Sequence, residues 1–163
     1  MCGPSTVLLR SPKNRRNPDK SVRYVNFQLG EGATTPYKKY NGDAGWDLYT
    51  SQACDIAPGE TVDVHTNVKI DMPPYLYARI TGRSSSLRKY NLLINEGIID
   101  NGYTGELFVC VKNLGNEVFH VKQGMRLAQI LFHLIEDVRW CEVPEIQAPN
   151  GRRGENGFGS TGA

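Results

Sequence analysis

Four segments of the chain combine residue types that a plain β-domain does not need. In GRSSSL, residues 82–87, Arg83 precedes three hydroxyls, Ser84, Ser85 and Ser86, at the expected start of a helical turn. A guanidinium, hydroxyls and free backbone N–H groups in that order suit a polyphosphate, although serines there also serve as simple caps. In EGIIDNGYTGEL, residues 96–107, an apolar stretch ends at Asp100, Asn101-Gly102 turns the chain, and Tyr103 leads into the next strand, the pattern of a β-hairpin. Asp100 is either a turn former or a carboxylate displayed at a site. In AGWDLY, residues 44–49, Asp47 stands between Trp46 and Leu48-Tyr49 in a strand-like stretch, where an acid either faces solvent or serves chemistry. The tail RRGENGFGST, residues 152–161, pairs glycines that allow close backbone approach with Arg, Ser and Thr donors for phosphate oxygens. It is not a Walker A loop, since no Gly-Lys-Ser/Thr follows at the required spacing; its composition fits a phosphate clamp and a linker equally.

The elements that must position these residues are short strands. RYVNFQL, GWDLYT, TVDVHTNVKI, YLYARIT, LLINEGII, ELFVCVKN and RLAQILFHLI are rich in Val, Ile, Tyr and Phe, and are separated by turn signals such as Pro58-Gly59, Pro73-Pro74, Gly115-Asn116 and Gln123-Gly124. This predicts an all-β sandwich or barrel, with SSSLRKY, residues 84–90, as the one short helical turn. At 163 residues the chain has the length of one domain. Three segments are expected: a basic flexible arm over 1–21, a β-domain over 22–145, and a flexible Gly-rich arm over 146–163.

Charge and composition narrow the function classes. Residues 1–23 carry six Lys and Arg against one acid, whereas the other 140 carry thirteen against sixteen, so the basic character belongs to the arm. Such an arm is able to touch nucleic acid or act as a nuclear address, although a short charge run is more often a solvated extension; the remainder calls for no stable nucleic-acid partner. No apolar run approaches the roughly 20 residues of a membrane span, and no secretory signal is apparent, so an intracellular location, cytoplasmic or nuclear, is expected. Cys2, Cys54, Cys110 and Cys141 form no CxxC pair and read as reduced thiols. His65, His120 and His133 lie in strand-like stretches without the spacing of a zinc site and read as structural.

The segments AGWDLY, GRSSSL, EGIIDNGYTGEL, QGMRLAQI and RGENGFGSTG, in this order from Asp43 to Gly162, resemble the five motifs of the trimeric dUTPase family. The resemblance implies a distorted jelly-roll-like β-barrel, a homotrimer with active sites at subunit boundaries, and hydrolysis of dUTP to dUMP and pyrophosphate with Mg2+. Carried over by residue, Asp100 corresponds to the carboxylate that orients the attacking water. Tyr103 lies beneath the deoxyribose, and the backbone at Gly97 and Ile98 pairs with the uracil edge. Asp47 helps place Mg2+ through water, and Arg83, Ser84, Ser85 and Gln129 line the triphosphate. In the tail, Arg153, Gly159, Ser160 and Thr161 grip the outer phosphates, and Phe158 stacks over uracil.

The chain departs from the family pattern at Ser85, where Gly is usual, at Glu96, where a small residue is usual, and at Glu155 and Asn156 in the tail. A dCTP deaminase shares the second and third motifs but uses a Glu where this chain has Cys110, and lacks such a tail. A noncatalytic interaction protein on the same fold would have lost chemical residues that all five motifs retain here.

Overall fold

The computed structural model describes residues 23–146, so the N-terminal arm over 1–21 and nearly all of the arm over 146–163 lie outside the described residues. Within them the chain forms β1 (Asn26–Leu29), β2 (Trp46–Tyr49), β3 (Cys54–Ile56), β4 (Thr61–Asp71), β5 (Leu76–Gly82), α1 (Ser84–Tyr90), β6 (Leu92–Ile94), β7 (Gly97–Ile99), β8 (Glu106–Asn113), β9 (Phe119–Val121) and β10 (Arg126–Leu134). The fold is all-β, as expected. Two four-stranded sheets, in the orders β1-β4-β8-β6 and β2-β10-β5-β7, accompany a β3-β9 ribbon; among the described residues the pairing does not close a barrel. Every pair is antiparallel.

Alternation explains the core. In β8, Leu107, Val109, Val111 and Asn113 are buried while their neighbours are not, and β5 buries Leu76, Ala78 and Ile80 in the same way. These side chains join Val64, Val68 and Ile70 of β4 and Leu127, Ala128 and Ile130 of β10 in one apolar cluster.

Two bulges interrupt the alternation. One falls between Arg126 and Ala128, and it lets the consecutive Leu127 and Ala128 both face the core. The other lies in β4 between His65 and Lys69, where Asn67 adopts a φ of 52°. The Glu106 carboxylate serves this second bulge, accepting from the backbone N–H groups of Thr66 (3.1 Å) and Asn67 (2.9 Å) and from His65 Nδ1 (3.2 Å).

The segment LLINEGII is not one strand. It breaks at Asn95-Glu96, so that β6 pairs with β8 in one sheet and β7 with β5 in the other. Nor does the Asn101-Gly102 turn close a hairpin, because β7 and β8 belong to different sheets. A type I′ hairpin turn needs positive φ at both central residues; here Gly102 has a φ of 87° and Asn101 is not in that region, which gives a type II turn closed by Tyr103 N–H to the Asp100 carbonyl at 3.2 Å. Two strands of three residues each, β3 and β9, escaped the sequence pattern because they are too short to show periodicity.

The helical turn over 84–90 forms as expected, but its serines do not cap it: Arg83 is the N-cap residue and makes no side-chain capping bond. Its C-terminal end closes on Asn91 in the left-handed region. Cys54, Cys110 and Cys141 are free thiols. Burial, followed by nearby Asp55 and Glu60, raises the pKa of Cys54; burial, followed by a hydrogen bond that the thiol donates to the Asp63 carboxylate, raises that of Cys110. Each histidine has a neighbour: His65 bonds Glu106, His120 bonds Asp55 at 2.7 Å, and His133 stacks on Tyr77. No helix among the described residues is long and apolar enough to cross a membrane.

Asn113, 1% exposed at the end of β8, is the polar lock of the core. Its Nδ2 donates to the carbonyls of Ile56 (2.9 Å) and Glu117 (2.8 Å), and its Oδ1 accepts from Gly115 N–H (2.8 Å). Asn113→Ala would leave the buried Ile56 carbonyl and the part-buried Glu117 carbonyl and Gly115 N–H without this partner. Urea unfolding should show a loss of about 2 kcal/mol or more, and a change within error of zero would contradict the role given to this side chain.

Candidate functional site

Three of the five motifs meet at one place. The register sets Gln129 of β10 opposite both Asp47 of β2 and Thr81 of β5. Immediately after β5 the chain turns into α1, so Arg83, Ser84 and Ser85 emerge at the same end of the sheet. The Asp47 carboxylate is shared by two cations: Arg83 Nε reaches Oδ1 at 2.8 Å and Arg126 Nη1 reaches Oδ2 at 3.2 Å. Arg83 Nη1 also donates to the Arg126 carbonyl at 3.2 Å. The Arg83 guanidinium is thereby held in one orientation, with a hydroxyl on the next residue.

Gln129 is held as tightly. Its Nε2 donates to the Gly82 carbonyl at 3.3 Å, and its amide lies over Gly45, where an added Cβ would come within 2.5 Å of Oε1. Gly45 is therefore the seat of Gln129, a role its place in AGWDLY did not reveal. Of the three serines, Ser84 is exposed and Ser85 half-buried, whereas Ser86 is buried and donates to the Leu127 carbonyl at 2.6 Å, tying α1 to β10.

Arg126 is the site residue that the sequence reading missed, although it lies in QGMRLAQI. In a regular strand residues 126 and 129 face opposite sides. The bulge between Arg126 and Ala128 removes that offset and turns both toward Asp47.

The third motif lies elsewhere in the chain. Asp100 follows Ile99, which pairs with Ala78 near the start of β5, while Arg83 follows its last residue. At ~3.3 Å per residue the two lie roughly 20 Å apart along the strand. Asp100 is exposed, and its turn is anchored by Asn101 Nδ2, which donates to the carbonyls of Met72 (3.0 Å) and Pro73 (2.8 Å). Tyr103 donates through its hydroxyl to the Glu106 carbonyl at 2.8 Å, and its ring lies so close over Gly105 that no Cβ would fit there. Gly97 and Ile98 are on β7, an edge strand bonded to β5 on one side only, and a Cβ on Gly97 would meet nothing. Arg153, Phe158, Gly159, Ser160 and Thr161 lie outside the described residues.

Among the described residues no three His, Cys, Asp or Glu side chains group into a metal cage. That donor set fits a cation held mainly by ligand oxygens and water, with one carboxylate nearby, which is how Mg2+ is commonly bound.

Comparison with known proteins places this geometry in a family. The chain is 38% identical over 137 residues to the deoxyuridine 5'-triphosphate nucleotidohydrolase of Clostridium novyi, a match covering 83% of this chain and 95% of that one. It is 35% identical over 162 residues to the mitochondrial deoxyuridine 5'-triphosphate nucleotidohydrolase of Homo sapiens, covering 98% of this chain but 63% of the longer human protein, just under two thirds of its length. Among solved structures, the Staphylococcus bacteriophage 80alpha dUTPase with dUPNHPP superposes with a TM-score of 0.80 at 25% identity, covering 87% of this chain and all of that one. The dUTPase family model itself matches residues 31–162, so four of the motifs and the tail motif fall inside a single match. The chain belongs to the dUTPase family.

Proposed function

We propose that the protein is a dUTP diphosphatase that hydrolyses dUTP to dUMP and pyrophosphate with Mg2+, as a homotrimer whose sites are shared between subunits. The observation that carries this reading is the cradle of Asp47, Arg83, Arg126 and Gln129, assembled from three motifs of a chain in the dUTPase family. Such a reaction lowers dUTP, which limits uracil incorporation into DNA, and supplies dUMP for thymidylate synthesis. Free thiols at Cys54, Cys110 and Cys141 accord with an intracellular location, cytoplasmic or nuclear.

Each residue then has a task. Arg83, Ser84, Ser85 and Gln129 hold the triphosphate, with guanidinium and amide donors oriented before the substrate arrives. Mg2+, when bound, offsets the charge of the phosphate oxygens. Asp47 would hold that ion through water, since each carboxylate oxygen keeps a lone pair beyond its arginine bond. Asp100 orients a water for in-line attack on the α-phosphorus and accepts its proton as the bond to the pyrophosphate oxygen breaks. The Tyr103 ring, fixed by its bond to Glu106, supports the deoxyribose and leaves no room for a 2′-hydroxyl. The free edge of β7 at Gly97 and Ile98 bonds the uracil edge. From the tail, Arg153, Gly159, Ser160 and Thr161 grip the outer phosphates while Phe158 covers the base.

The sharing of sites between subunits rests on distance, and the number three on the family resemblance. Asp100 must act through one water on the phosphate that Arg83 and its neighbours hold, yet the two lie roughly 20 Å apart along β5 in one chain. A second chain supplying Asp100 and Tyr103 to the first chain's cradle resolves the conflict.

Pyrophosphate release should be fast from dUTP, slow from dTTP, dCTP and UTP, and lost in excess chelator; comparable turnover of UTP or full activity without free divalent cation would refute the substrate and metal assignments. Asp100→Asn should fold and assemble normally while kcat falls by about 10²–10⁴-fold, because an amide cannot accept the proton, and a normal kcat would remove Asp100 from its role. Light scattering of active protein should give three times the chain mass of 18.2 kDa. An active monomer would overturn the shared site.

A further inference from the structure

The chain between β6 and β7 changes sheets within a single residue. Asn95 N–H still donates to the Cys110 carbonyl of β8 at 2.9 Å, whereas Gly97 already pairs with Ile80 of β5. Glu96 is the residue between. β7 has only three paired positions, Ile99 with Ala78, Ile98 with Arg79 and Gly97 with Ile80, and the next rung of that ladder would set Glu96 against Thr81. The backbone has left the sheet by then, but the side chains complete the rung: Thr81 Oγ1 donates to Glu96 Oε1 at 2.8 Å. Arg79 Nη1 lies 3.8 Å from Glu96 Oε2, and with these side chains 40% and 54% exposed that ion pair is solvent-screened and adds little.

We propose that Glu96 is a positioning residue for base recognition, whose hydrogen bond from Thr81 fixes the start of β7 so that the free backbone edge at Gly97 and Ile98 meets the base in one register. The inference rests on the dUTP-hydrolysing reading above and extends it to a residue outside the contact set. Two physical features make the tie matter. A three-residue edge strand with one free side has little to hold it. Gly97 carries no side chain to pack, and a Cβ there would touch nothing, so neighbouring packing does not locate it. The anchor at the other end of the segment is Asn101, bonded to the Met72 and Pro73 carbonyls. Thr81–Glu96 and Asn101 thus pin β7 at its two ends.

The test compares Glu96→Ala and Thr81→Val with their conservative counterparts Glu96→Gln and Thr81→Ser, which keep an acceptor and a hydroxyl. Loss of the bond should raise KM for dUTP about fivefold with kcat changed by less than about twofold, and the double variant Glu96→Ala/Thr81→Val should be no worse than either single one. Amide hydrogen exchange across residues 97–99, measured without nucleotide, should quicken in both disruptive variants and stay near wild type in both conservative ones. Wild-type KM and exchange in Glu96→Ala, additive effects in the double variant, or a Glu96→Gln as impaired as Glu96→Ala would each overturn the proposal. Failure of the wild-type protein to hydrolyse dUTP would reject the underlying activity instead, and the exchange measurement would still decide whether Glu96 holds β7.

Discussion

β10 is hydrogen-bonded along both edges, to β2 on one side and β5 on the other, and this double pairing is the constraint from which the cradle of Asp47, Arg83, Arg126 and Gln129 follows. Register alone sets Gln129 opposite Asp47 and Thr81. The carbonyl of Leu127 then receives the backbone N–H of Arg83 at 3.5 Å and the hydroxyl of Ser86 at 2.6 Å, so the same strand also docks the helix that carries the serines. A one-residue slip of β10 would exchange its core and outer faces, removing Leu127 and Ile130 from the apolar cluster together with Gln129 from the site. Stability of the core and geometry of the cradle are thus enforced by one register.

Electrostatics gives the cradle its sign. Two guanidiniums converge on one carboxylate, so Asp47 offsets only part of their charge while fixing where it points. Exposed ion pairs contribute little to stability, and the Asp47 side chain at 19% exposure is better placed than most. The more telling consequence is pre-organisation: Arg83 is held at Nε and at Nη1, leaving its remaining N–H groups for a ligand. Freezing a long, flexible side chain before binding reduces the entropy that a phosphate contact would otherwise cost.

Much of this was legible in the sequence, for reasons that can be named. β4, β5, β8 and β10 are long enough for alternation to show, and their ends fell within a residue or two of the expected places. Asp47 and Arg83 stand out in short strings whose residue types a plain β-domain does not need, whereas Gln129 is named only by the resemblance of QGMRLAQI to a family motif. What could not be read was anything requiring two distant segments at once. Arg126 joins the cradle only because a bulge reverses its face, and a bulge leaves no periodic trace. LLINEGII carries an unbroken strand-like composition, yet β8 and β5 compete for its two halves and each sheet takes one. Asn101-Gly102 is a strong hairpin signal that tertiary structure overrode, since Asn101 is recruited to hold the Met72 and Pro73 carbonyls.

β5 explains why the proposed chemistry belongs to an assembly rather than to a chain. Its start carries, through β7, the free edge at Gly97 and Ile98 and then Asp100; its end leads into Arg83 and the serines. A strand is stiff, and no side-chain rotation spans the roughly 20 Å that separates those ends. On the proposed reading, folding one chain completes two half-sites that cannot serve each other, and a neighbouring copy would present its opposite end to each. In that arrangement the distance that prevents catalysis within a subunit becomes the spacing between subunits. The stiffness of β5 would fix Asp100 within its own chain, and the contact between chains would set it over a neighbour's phosphates.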